Sequence, residues 1–291
     1  MKKILITGAG SYIGTSLENY LRQWPDAYQT DTLDMRGSGW ESASFAGYDA
    51  VFHVAGLVHQ PGSKNDPAQA DRYDQVNHVL AVRTAQKAKA EGVRQFLFMS
   101  SESVYGLTAP MGRPVVITGD TPLNPKDNYG ISKARAEAGL QALADDSFRV
   151  AILRPPMIYG RGCKGNYVTM AKLAKKLPVF PAVSNQRSML YIDNLTEFVR
   201  LLIDDEAAGV FCPQNGEYIN TGDMVCRIAR ANGRNIRLVK GFGWALKLLR
   251  CVTPMVDKAF GSLCYDFALS RYARDYRVKN LEQSIAETER P

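Results

Sequence analysis

No apolar run in the 291-residue sequence is long enough to cross a bilayer, and the stretch after Met1-Lys2-Lys3 is too short for a secretory signal. These absences exclude a helical membrane protein and predict a cytoplasmic chain. Cysteine is sparse and odd in number: Cys163, Cys212, Cys226, Cys251 and Cys264 show no paired spacing. A disulfide framework is therefore excluded, and partly buried structural thiols in a reducing compartment are expected. Only His53, His59 and His78 are available as imidazoles, and no Cys or His spacing suits zinc. Repeats and low-complexity tracts are also missing. Positive charge is present but uneven: residues 227–291 hold thirteen Lys and Arg against six Asp and Glu, the whole of the net +7. No recognised RNA- or DNA-binding motif accompanies that excess, so no nucleic-acid partner is expected, and an anionic small molecule fits better.

The opening of the chain shows what such a molecule meets. Lys3 to Thr7 is a short apolar strand signal, followed at once by Gly8-Ala9-Gly10-Ser11-Tyr12-Ile13-Gly14. Tyr12 to Gln23 then has helical periodicity, with Leu17, Tyr20 and Leu21 on one side. A strand, a glycine turn and a helix N-terminus make a phosphate cradle in which backbone amides face the anion. A second strand, Tyr28 to Leu33, ends at Asp34, twenty residues past Gly14. A carboxylate there accepts from both ribose hydroxyls and repels a 2′-phosphate, so NAD is favoured over NADP. Arg36 pulls slightly the other way, because a guanidinium can pair with that phosphate. Asp49 to Gly56 is the next strand, apolar enough to be covered on both faces, with His53 as a packed strand residue.

Two further segments carry reactive groups. Phe96 to Ser101 is a strand ending in two hydroxyls, and Tyr129-Gly130-Ile131-Ser132-Lys133 opens a helix running to Ala144. Positions four apart share a helix face, so Tyr129 and Lys133 point into one site. An ammonium nearby favours the phenolate and lowers the tyrosine pKa toward neutrality. Ser101 can bond the same substrate oxygen. Together the trio is a proton-transfer device for an alcohol becoming a ketone, or the reverse.

With these motifs in this order, the sequence resembles the extended branch of the short-chain dehydrogenase/reductase superfamily, the nucleotide-sugar epimerases and dehydratases. The resemblance implies an α/β fold: a Rossmann-type doubly wound parallel sheet with a smaller C-terminal α/β substrate lobe. Where the family has Gly-x-x-Gly-x-x-Gly, this chain has Ser11 in the middle, a small residue able to bond the pyrophosphate. Ala55 and Gly56 match the family's small-residue turn against the cofactor, and Asn77, on a helix from Asp66 to Glu91, matches the asparagine on its cofactor side. Ser101 matches the hydroxyl residue four before the tyrosine of Val104-Tyr105-Gly106. The dehydratases place Asp and Glu at the next two positions; Glu102 and Ser103 stand here, which argues against dehydration. Pro156 lies in the turn that the family sets beside the nicotinamide amide. His59 falls where the family often lines the sugar pocket.

The second half is read the same way. Asn166 resembles a residue that meets the nucleotide diphosphate in small polysaccharide-locus epimerases and 4-ketoreductases. Arg187, before a strand and a helix, resembles the family's arginine, and a guanidinium gives a diphosphate bidentate bonds. The expected division is residues 1–160 as the NAD-binding domain, with 187–208 returning to it, and 161–186 with 209–291 as the substrate lobe. Residues 107–128 are expected as a loop. The amphipathic stretch 244–252 is either a lobe helix on the core or a weak membrane-surface contact. The implied activity is NAD-dependent C4 epimerisation of a nucleotide sugar, UDP-linked by resemblance, in a homodimer as is common in the family. The rival readings are a 4-ketoreductase using NADH or NADPH, and a catalytically silent dinucleotide sensor.

Overall fold

The computed structural model describes residues 1–58, 66–242, 246, 248 and 255–290. His59 and the stretch 244–252, apart from Leu246 and Leu248, lie outside the described residues. The chain divides into two compact units.

The first unit comprises Met1–Gly106, Pro122–Pro155 and Leu195–Pro213. Its sheet is built from β1 (Lys2–Thr7), β2 (Tyr28–Leu33), β3 (Ala50–His53), β4 (Gln95–Met99), β6 (Arg149–Leu153) and β10 (Gly209–Phe211). The spatial order is β10-β6-β4-β3-β1-β2, and every neighbouring pair is parallel. This explains the apolar runs: Ile4 to Ile6, Val51-Phe52, Phe96 to Phe98 and Val150 to Leu153 are buried because both faces of a parallel sheet are covered. On one face Leu5, Val51, Phe96, Phe98 and Ile152 pack with Trp40 of α2 (Gly39–Ser42), Ala81 and Ala85 of α4 (Leu80–Ala90), and Ala136 and Leu140 of α5 (Asn128–Gln141). The alternate residues Ile4, Ile6, Phe52 and Leu97 point to the other face. Leu17 and Leu21 of α1 (Tyr12–Leu21) are buried, as are Leu195, Phe198 and Leu202 of α7 (Ile192–Asp204). A helix begins at α3 (Pro67–Tyr73), widens into a π-turn over Asp74–Val79, and continues as α4.

The second unit comprises Leu107–Thr121, Pro156–Asn194 and Gln214–Pro291. Its strands form three parallel pairs: β5 (Val115–Ile117) with β12 (Leu263–Tyr265), β7 (Met157–Tyr159) with β9 (Met189–Tyr191), and β8 (Val179–Pro181) with β11 (Arg237–Val239). Among the described residues it also has helices α6 (Asn166–Lys176), α8 (Thr221–Ala231), α9 (Met255–Phe260) and α10 (Leu281–Glu289). Tyr159 stacks on Tyr167 at 5.3 Å and bonds Ser284 of α10 at 2.6 Å, so the last helix is tied into the interior.

The boundaries differ from the sequence-based division in three places. Residues 107–121 are not a connecting loop of the first domain, because Val115–Ile117 pairs with Leu263–Tyr265. Residues 187–194 fall in the second unit, where β9 pairs with β7. Gly209–Phe211 belongs to the main sheet through its parallel ladder to Ala151–Leu153. Cys163, Cys212, Cys226 and Cys264 are buried thiols outside any disulfide, as structural thiols would be. No helix among the described residues is long and apolar enough to cross a membrane.

Candidate active site

The cradle at the end of β1 is set by contact. Gly8 adopts φ +107°, and a Cβ there would lie 2.8 Å from the Ala55 amide nitrogen, so the turns after β1 and β3 touch backbone to backbone. Gly10 is left-handed at φ +72° with open space above it, which leaves room for a ligand against the main chain. The Ser11 hydroxyl accepts from the Gly14 amide at 3.2 Å and so caps α1, which leaves its own proton to donate. The other first-turn amides of α1, from Tyr12 and Ile13, belong to the helix end that favours an anion. Asp34 stands exposed just past β2 and is gripped by Arg36, whose Nη2 lies 2.6 Å from Oδ2. Hydrogen bonds from Arg36 hold the Asp34 carboxyl down at about 2, so it is ionised and presents acceptors at the ribose position of such a cradle. These residues fit a dinucleotide.

Asn77 ties the cradle to the reactive helix. Its Oδ1 accepts from the Leu57 amide at 2.7 Å, and its Nδ2 donates to the Leu57 carbonyl and to Ser132 Oγ, both at 3.1 Å. It is fully buried and sits in the π-turn, a distortion often found at functional positions. A Cβ on Gly56 would lie 2.9 Å from Asn77 Oδ1 and 3.4 Å from Lys133 Nζ. Ala55, Gly56, Asn77 and Lys133 therefore converge on one spot. Pro156 is buried at the start of the second unit.

The proposed trio meets at the carboxyl end of β4. Asp127 caps α5 by accepting from Gly130 N at 2.8 Å. A Cβ on Gly130 would lie 2.6 Å from the Ser103 carbonyl, so only glycine lets α5 approach the turn after β4. That approach brings the Tyr129 hydroxyl into a hydrogen bond with Ser101. Tyr73 packs edge-on against the Tyr129 ring at 6.4 Å. One helical turn further on, Lys133 Nζ donates to the Met99 carbonyl at 2.7 Å and lies 4.5 Å from the centre of the Phe98 ring.

The ionisation states depart from the expectation. Burial pushes Tyr129 up to about 12, and the Ser101 hydrogen bond only partly opposes it. Lys133 does not draw Tyr129 toward neutrality in the free chain, because burial brings the lysine itself down to about 7 while Glu137 pulls the other way. His53 is a packed strand residue: Nδ1 is 2.8 Å from Thr7 Oγ1, the ring stacks on Phe96 and Phe98, and burial, then Lys133, lowers it to about 3.

A model of the NAD dependent epimerase/dehydratase family matches residues 4–211, most of the chain. The protein belongs to that family. A UDP-glucose 4-epimerase of Vibrio cholerae is 31% identical, covering 99% of this chain and 94% of that one. A GDP-6-deoxy-D-mannose reductase of Pseudomonas aeruginosa is 28% identical, covering 74% and 75%. Among solved structures, a UDP-glucuronic acid 4-epimerase from Bacillus cereus in complex with NAD has the same fold, with a TM-score of 0.73 at 15% identity over 98% of this chain and 96% of that one. As a family member the protein is an enzyme with a Rossmann-type sheet and NAD as its cofactor.

In this epimerase/dehydratase family member, the substrate candidates of the second unit are less gathered. Asn166 is exposed at the first turn of α6, after Gly165. Arg187 is half-buried, and its backbone bridges Ile219 on one side and Leu263 on the other. Sequence reasoning missed Ser100, Glu137 and Arg154. Glu137 Oε1 accepts from Ser100 Oγ, and Arg154 donates through Nε at 3.1 Å to Oε1 and through Nη2 at 2.5 Å to Oε2. Arg154 Nη1 donates on to Tyr105 OH at 2.9 Å. The spacing Tyr129, Lys133, Glu137, four residues apart each time, was the available signal.

Proposed function

We propose that the protein is an NAD-dependent nucleotide-sugar C4 epimerase acting on a UDP-sugar through a transient 4-keto sugar. The observation that carries this reading is the Ser101–Tyr129 hydrogen bond with Lys133 one turn along, at the carboxyl end of a parallel strand, where such sheets bind ligands. The similarity to a UDP-glucose 4-epimerase over almost the whole chain supports it.

Bound NAD supplies hydride acceptance and return at its nicotinamide. Tyr129 Oη takes the proton of the C4 hydroxyl as that carbon becomes a ketone, and gives it back after the sugar presents its other face. Ser101 holds the same oxygen and stabilises Tyr129 while it is deprotonated. Burial raises Tyr129 when nothing is bound, so a positive charge arriving nearby would be needed to lower it. Lys133, at about 7, is poised to take that charge and to hold a ribose hydroxyl. Asp34 selects NAD by accepting from the adenosine ribose. Asn166 and Arg187 are proposed to hold the substrate's diphosphate, and His59 to face the sugar. Glu102 and Ser103, in place of the dehydratases' acid pair, disfavour loss of water.

A second reading, a 4-ketoreductase, is favoured by the 28% identity to a GDP-6-deoxy-D-mannose reductase. One purification separates them. The epimerase is expected to retain NAD through gel filtration and to interconvert UDP-glucose and UDP-galactose, or their N-acetyl forms, without added cofactor. A protein that emerges cofactor-free and consumes one NADH or NADPH per 4-keto sugar is a reductase. No turnover of any nucleotide sugar under either regime would leave the silent sensor.

A further inference from the structure

Three consecutive residues at the carboxyl end of β4 are laced to three residues spaced four apart on α5. The Met99 carbonyl accepts from Lys133, the Ser100 hydroxyl donates to Glu137, and Ser101 bonds Tyr129. The middle stitch is the one with no part in the chemistry, and it is the most heavily secured. Glu137 is 1% exposed and holds a two-pronged ion pair with Arg154, which follows β6. Arg154 in turn is fixed by Tyr105, in the turn just after Ser101. Glu137 lies one turn along the same helix from Lys133, within reach of its ammonium, and acts on it electrostatically.

Resting on the reading of Ser101, Tyr129 and Lys133 as the acid–base group, we infer that Glu137, anchored by Arg154, is a positioning residue with two effects. Through Ser100 it fixes the strand end that offers Ser101 to Tyr129. Through its charge it keeps Lys133 protonated during turnover. The groups around Lys133 leave this task to Glu137. From β3, His53 is held uncharged across the neutral range and brings no negative charge. From β4 come only the Met99 carbonyl and the Phe98 ring. From the π-turn comes the neutral amide of Asn77. Burial pulls Lys133 down, and Glu137 is the carboxylate that opposes it.

The two effects separate by substitution. Glu137→Gln keeps an oxygen for Ser100 and removes the charge: the alkaline limb of the kcat/KM profile is expected to move about one unit toward acid. Glu137→Asp keeps the charge and shortens the reach: the limb is expected to stay, while kcat falls about tenfold with KM unchanged. Because Glu137→Gln leaves Arg154 unpaired in the interior and can impair folding, Glu137→Gln with Arg154→Met is its companion, and the same acid shift is expected. Ser100→Ala leaves the ion pair whole and is expected to lower kcat several-fold without moving the limb. Wild-type pH profiles in both charge-removing proteins, or wild-type kcat in both Glu137→Asp and Ser100→Ala, overturn the inference. Tyr129→Phe, run alongside, isolates the underlying reading: if it turns over normally, the trio is wrong, whatever Glu137 does.

Discussion

Buried polar side chains do opposite work in the two units. In the second unit Gln214 is the example: its Oε1 accepts from Ser188 at 2.6 Å, and its Nε2 donates to the Tyr265 carbonyl and to Ser270 Oγ. Its backbone amide and carbonyl are both met by Tyr276 OH, at 3.0 Å each. Its side-chain oxygen, both side-chain protons and its backbone amide and carbonyl are all engaged within the unit. In the first unit Lys133 is just as buried yet stands near its ionisation midpoint, and His53 Nε2 is buried with no hydrogen-bond partner. Saturated networks make scaffold; a buried charge left undecided makes chemistry.

The strongest blow to that contrast would come from Tyr129→Phe, which removes only the ionisable oxygen. Turnover is expected to fall about 10²–10⁴-fold, with the melting temperature and NAD affinity nearly unchanged. Steady-state rates beside thermal melts decide it, and normal rates would move Tyr129 from the chemistry to the scaffold.

His53 sharpens the contrast through stability. Its folded pKa, about 3, lies below the ordinary value of 6.5, so the unfolded chain takes up a proton that the folded chain refuses. The stability it contributes is therefore complete above pH 6.5 and is lost as pH falls toward 3. Between pH 6.5 and 4.5 wild type is expected to lose about 2 kcal/mol more than His53→Gln. Urea titrations at the two pH values read the difference, and parallel losses would show that the imidazole does not stay neutral.

A third effect, of similar size, tests the second unit, where Arg187 is the residue expected to serve a ligand. Arg187→Ala should weaken nucleotide diphosphate binding by about 1.5–3 kcal/mol, the size of a charged hydrogen bond, and leave NAD affinity alone. Calorimetric titration of UDP, then of other nucleotide diphosphates, measures this without knowledge of the sugar. Equal affinities in the two proteins would return Arg187 to the framework, beside the bridges it makes to Ile219 and Leu263.

What could be read from the sequence followed the length of each signal. The main sheet was legible because its inner strands are continuous apolar runs, and β2 (Tyr28–Leu33) coincided with its predicted span. The cradle and the Tyr129–Lys133 pair could be proposed because each depends on spacing within one segment, and Ser101 because it ends an apolar strand run. Strands β5, β10 and β12 were missed: three residues carry no period, and their places are set by partners far along the chain. Arg154 was passed over for a related reason, since an ion pair between a strand end and a helix leaves no local pattern; for Glu137 the four-residue spacing from Lys133 was the one local sign. Ser11 was assigned by its place in the glycine motif, and its cap on α1 was not read from the sequence. The state of Tyr129 could not be read at all, because it depends on burial rather than on the company of Lys133.

The π-turn at Asp74–Val79 has a consequence for phase. Tyr73, Asn77, Ala81 and Ala85 are all buried, and they recur every fourth residue. On a regular α-helix each such step overshoots a full revolution by about 40°, so the last of the four would face about 120° away from the first. A wider turn needs more residues per revolution and takes up part of that overshoot. The helix thus runs like a screw with one coarse thread: its far end keeps time with the hydrophobic sheet, its near end, through Tyr73, with the Tyr129 ring, and a single slack turn reconciles the two.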